Sequence, residues 1–240
     1  MTLLLKIRLR WFFFILLAAF FGLAYAVPVT EQFNPSLATL LVIAALMYGF
    51  FITPILTAQK RRIEALSKII RAEANAIFGI LVATRKLPEQ SRNLIQDMCA
   101  DYLTASFRQR RPAEGEHEYE RLISYCLDYS GKDPDTIDKI LEKLVANQRN
   151  RSRLAMQLNN RVYANEWWIL LVLFSVVISL IMALNVPGDL IGQLIKALLC
   201  TGVSMLMINL LKLSTLTHRK AKDIWQPLNT LKTSRFRRFD

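Results

Sequence analysis

Few residues in this chain of 240 have the types and spacings that could do chemistry. A metal site or a general base needs imidazoles, thiols or carboxylates brought together. The two histidines, His117 and His218, lie far apart in sequence, the second beside Arg219 and Lys220. Cys99, Cys126 and Cys200 have no paired spacing that would suggest a metal or a disulfide, so reduced, structural thiols are expected. Glycine is scarce and no phosphate-cradling loop is present. These features point away from an enzyme, and neither metal nor cofactor is expected. Met47, Phe51 and Ile55, with Ile43 ahead of them, have a different potential, because their i, i+4, i+8 spacing lines up large apolar groups along a helix. Several copies of such a helix around an axis would form stacked apolar rings, which gate by dewetting. Packing against lipid or a neighbouring helix would use the same spacing.

The elements that must carry this row follow from where the charges are. The chain is 53% hydrophobic with a net charge of +12, and its charges come in blocks. Four windows carry no Asp, Glu, Lys or Arg: Trp11 to Thr30, Gln32 to Gln59, Trp167 to Gly188, and Ala197 to Leu211, the last extended outward by Leu190 to Ile195. A helix needs about 20 apolar residues to cross a bilayer, so the pattern predicts an all-α polytopic membrane protein with four transmembrane helices. Lys6, Arg8 and Arg10 precede the first span, and eight Lys or Arg follow the fourth, from Lys212 to Arg238. Residues 60 to 166 carry 19 Lys or Arg against 15 Asp or Glu, whereas the short loops 31 to 36 and 185 to 189 carry only Glu31 and Asp189. The positive-inside rule then places both termini and the middle segment in the cytoplasm. Basic composition thus reports topology and attraction to anionic lipid, and nucleic acid is not an expected partner. The expected organisation is two transmembrane helices in 1–59, a cytoplasmic helical domain in 60–166, two more spans in 167–212, and a mobile basic tail in 213–240.

Along the chain, residues 1 to 26 also have the shape of a cleavable secretory signal, with KIRLR, an apolar core and Ala24-Tyr25-Ala26, but the uncharged run is longer than a usual signal core. Asn34-Pro35-Ser36 makes a turn and a helix start, and Pro54 sits late in the second span, where it removes one backbone hydrogen bond. Past Lys60, Arg61 and Arg62 the second span runs on without a turn signal, and Ile63, Leu66, Ile69, Ile70, Ala74, Ile77 and Ile80 give an amphipathic continuation. Leu87-Pro88 breaks it, and Leu94, Ile95, Met98, Cys99, Tyr102, Leu103 and Phe107 form the next stripe. Arg108, Arg110 and Arg111 close that stripe before Pro112. A third helix in 113–130 would bury Leu122, Ile123, Cys126 and Leu127. From Asp135 to Glu166 no Gly or Pro intervenes, and the spacing predicts one helix running on into the third span through Trp167-Trp168. Lys196, two turns inside the fourth span, either snorkels to the interface or faces a water-filled path.

Two spans, a helical cytoplasmic segment and two further spans form a plan that resembles the bestrophin channels. The local sequence looks more like the bacterial and plant bestrophin-like membrane family, in Glu73-Ala74-Asn75-Ala76-Ile77, Leu87-Pro88, Tyr102, and Arg149, Arg151, Arg153 and Leu154 ahead of the third span. The Arg-Trp-Trp run of bestrophins proper is absent. The resemblance implies a homopentamer in a bacterial inner membrane, passing ions passively through an axial pore lined by the second span. Met47, Phe51 and Ile55 would form the constriction, and Glu73 and Asn75 would stand in the neck; helix-to-helix hydrogen bonding is the other use for those two. Ion type stays open, with the middle segment's surplus of positive charge leaning towards anions. A non-conducting scaffold or sensor that binds a partner through its cytoplasmic helices is the rival reading.

Overall fold

A computed structural model describes residues 9–26, 35–109, 115–159, 162–184, 190–215 and 218–233. Among them there is no strand, and eight α-helices follow one another. These are α1 Leu9–Ala26, α2 Pro35–Ala83, α3 Glu89–Gln109, α4 Glu116–Leu127, α5 Pro134–Asn159, α6 Ala164–Ala183, α7 Leu190–Ser214 and α8 His218–Thr233. Four helical stretches are long and apolar enough to cross a membrane, and each takes in most of one of the four uncharged windows. Both short loops lie wholly or mostly outside the described residues, as do Lys6, Arg8, Arg110, Arg111, Pro112 and residues 234–240.

Contacts divide the chain into two compact units. The first comprises Met1–Arg61 and Arg161–His218, and the second Arg62–Asn160 and Arg219–Asp240. In the first, Tyr48 and Ile52 of α2 pack with Leu170, Val177 and Ile181 of α6 and with Cys200, Met207 and Leu210 of α7. Tyr48 donates its hydroxyl to the Val203 carbonyl at 3.2 Å, so the polar end of this inward ring is satisfied. Lys196 is buried, with Gln193 and Ser204 on the same side of α7, and does not stand free at the helix surface.

In the second unit α2 buries Leu66, Ile70, Ala74, Ile77 and Ile80, steps of three and four that keep one face inward. Glu64 and Lys68 stand on the exposed outer face. The helix stays continuous through Pro54 for 49 residues, roughly 70 Å at 1.5 Å per residue. It ends in a 3₁₀ turn, Thr84–Lys86, where extended Leu87 ahead of Pro88 forbids another helical turn. Ile95, Cys99, Tyr102 and Leu103 of α3, Tyr119, Leu122 and Cys126 of α4, and Ile137, Ile140 and Leu144 of α5 are also buried.

Three expectations are corrected. Leu127 is 65% exposed, and the inward face of α4 is Tyr119, Leu122 and Cys126, at i, i+3 and i+7. The helix expected from Asp135 into the third span is two helices, because α5 stops at Asn159 and α6 starts at Ala164 after extended Tyr163. Neither Gly nor Pro makes that break. The Arg62 guanidinium donates to the Gln157 and Leu158 carbonyls at 2.8 and 3.1 Å, satisfying acceptors that the end of a helix leaves open. On the far side the Glu166 carboxylate accepts the Tyr163 N–H at 3.0 Å. Finally, within the segment expected as a mobile tail, His218–Thr233 form α8, with Ile224, Trp225 and Leu228 buried.

Candidate functional site

Two features of α2 could carry function, one in each half. In the apolar half, the bundle takes the side bearing Tyr48 and Ile52, while Ile43, Met47 and Phe51 remain 53%, 47% and 40% exposed in the single chain. Ile55 departs from the expected row: it is half-buried and packs against the bundle core. The cause is helical geometry, since a step of four residues overshoots a 3.6-residue turn by about 40°. Three such steps carry the row from the open side to the covered one. Met47 and Phe51 therefore share an uncovered face and Ile55 does not.

In the polar half, beyond Lys60, Arg61 and Arg62, Glu73 is 2% exposed. The Tyr102 hydroxyl of α3 donates to its Oε1. The other oxygen, Oε2, has no hydrogen-bond partner among the described residues. Arg151 of α5 spreads over both neighbouring rings, its guanidinium carbon 5.0 Å from the Tyr102 centroid and 4.0 Å from that of Tyr119. The two rings meet edge to face at 5.1 Å. Arg151 Nη2 donates to Glu116 Oε2 at 2.9 Å and Nη1 to Gln148 Oε1 at 3.2 Å, and Gln148 Nε2 in turn reaches Glu116 Oε1 at 2.9 Å. Tyr119 donates to the Leu144 carbonyl at 2.8 Å and accepts from Asn147 Nδ2 at 3.2 Å. One polar network thus ties α2, α3, α4 and α5 together. Gly115 permits it: a Cβ there would collide with Ser106 Oγ and come within 2.9 Å of the Tyr102 ring.

Burial raises the Glu73 carboxyl above its ordinary range, opposed by the Tyr102 hydrogen bond and the Arg151 charge. Burial likewise raises Tyr102, and it pushes Tyr119 up to about 12 against the Asn147 hydrogen bond and Arg151. The Cys99 thiol is pushed up to about 12 and that of Cys126 to about 11 by the same cause, and both are free and buried. Asn75 is exposed, since two residues along a helix is about 200° around it, so it shares no face with Glu73. His117 is exposed, and no group of three or more His, Cys, Asp or Glu gathers among the described residues.

A family model for the Bestrophin-like domain matches residues 9–216, which takes in α1 through α7 and every member of both features. The chain belongs to the bestrophin-like family. No curated protein and no solved structure matches it. Within this bestrophin-like chain, Glu73, Tyr102 and Arg151 all belong to the stretches that carry the family resemblance in the sequence, and the fold joins them in one network. Tyr119, Glu116 and Asn147 were missed. The i, i+3, i+7 spacing of Tyr119, Leu122 and Cys126 was the available signal for the first.

Proposed function

We propose that this bestrophin-like membrane protein is a passive ion channel, a homo-oligomer whose second spans surround an axial pore, with Met47 and Phe51 at its constriction. The observation that carries the reading is the uncovered row of large apolar side chains on α2, beside a face already occupied by Tyr48 and Ile52. A span packed on one side and open along an apolar row on the other suits a helix repeated around an axis. A pentamer in a bacterial inner membrane with both termini in the cytoplasm belongs to the same proposal. So does the placing of the second unit on the cytoplasmic side, where the basic blocks that flank the spans are expected.

Purified protein in liposomes tests this through ion flux, with wild type compared against Phe51→Ala. Removing the ring should raise flux on the order of tenfold, as lowering a barrier by ~1.4 kcal/mol would. No flux from either protein counts against conduction.

A further inference from the structure

One carboxylic acid is shut away among four helices of the second unit, with only one of its oxygens hydrogen-bonded among the described residues. Glu73 Oε1 accepts from Tyr102 on α3, and Oε2 meets no donor among the described residues. Among the described residues, the other titratable or charged groups that act with it are Tyr119 of α4 and Arg151 of α5, and Arg151 is in turn paired with Glu116 of α4. Lys143 of α5 approaches α2 at Gly79, nearly two turns further along. The Arg151 guanidinium is engaged by Glu116 and Gln148. An ionised Glu73 would therefore be a buried charge served by one hydrogen bond, which is costly, whereas the neutral acid avoids most of that cost.

We propose that Glu73 is a proton-operated switch on the helix that lines the pore: protonated, it leaves Arg151 paired with Glu116; ionised, it draws Arg151 away and removes the network's ion pair between α4 and α5, leaving their neutral hydrogen bonds. The route is short, because Arg151 already lies over the face of the ring whose hydroxyl binds Glu73. Its movement is a slide across two adjoining tyrosine faces, and Glu116 can release it cheaply because that carboxylate's side chain is 40% exposed to solvent. The switch stands on the buried network alone; its command of conduction rests on the pore reading above.

Burial makes the folded chain hold this proton more tightly than the unfolded one does. The stability contributed by the neutral acid is therefore complete below the ordinary value of 4.5 and is lost as pH rises through the folded group's titration. The test is thermal melting of the full-length protein in detergent from acid to mildly alkaline pH, for wild type, Glu73→Gln and Tyr102→Phe. Relative to Glu73→Gln, wild type should lose stability as pH rises, with the gap closing in acid. Tyr102→Phe removes the donor that favours the ionised form, and should move the transition to higher pH. Curves for wild type and Glu73→Gln that keep a constant separation would overturn the switch. In liposomes, Glu73→Gln should lose whatever pH dependence wild-type flux shows; identical titration of the two overturns control of conduction. If neither protein conducts, the pore reading fails and the melting comparison still decides the switch.

Discussion

The side chain that most constrains the second unit is Arg151, which is 2% exposed and combines an ion pair with stacking on two rings. Each part alone is modest, since its carboxylate partner Glu116 is partly in solvent and cation–π contacts are worth ~0.5–2 kcal/mol. Their coincidence on one planar group is what lysine cannot copy, because an ammonium has neither the fork nor the flat face. Arg151→Lys keeps the charge and should still lower stability by about 3 kcal/mol, the low end of the range for a buried pair that loses one partner. The measurement is denaturant unfolding of the solubilised protein; an unchanged midpoint would mean that the charge alone matters. Tyr102 and Arg151 were each visible in the sequence, but that they share a ring face depends on α3 and α5 meeting, which no local spacing encodes.

Among the elements, the end of α5 shows how a long-range contact can stop a helix. The chain from Asp135 to Glu166 has no breaker, so local propensity alone would continue it. Arg62, contributed by α2 some 95 residues earlier, binds the last carbonyls instead, and Glu166 receives the Tyr163 amide. Arg62→Ala should cost about 2–3 kcal/mol, the scale of hydrogen bonds to a charged donor. It should also raise amide hydrogen exchange around Gln157 and Leu158; unchanged exchange there would show that the break has another cause. The four spans were legible because a long stretch without charge has few other uses, and the inward stripe of α2 was legible because its period is unbroken over residues 66–80. What escaped notice was set by partners distant in sequence: the α5–α6 break, the inward Tyr119, and α8, whose stripe of Ile224, Trp225 and Leu228 is too short to stand out among its lysines.

At the scale of the whole molecule, the single chain leaves much of the α2 apolar half uncovered, Phe50 most of all at 77% exposed. Lipid and neighbouring copies would both accept such a surface, and the two make different demands on position. Phe50 and Phe51 differ by one residue and hence by about 100° around the helix, so they cannot both face one axis. If Met47 and Phe51 line the pore, Phe51→Ala should raise flux while Phe50→Ala leaves flux unchanged and alters only packing at the rim. A bare lipid face would make the pair equivalent, with flux indifferent to each. The reverse result would turn the helix so that Phe50 and its neighbours Ile43 and Leu46 line the axis, and would remove Phe51 from the constriction. Particle images of the detergent-solubilised protein add a requirement that stands apart from flux: rotational symmetry with α2 nearest the axis, five-fold for a pentamer. A monomeric particle would leave the row nothing to ring.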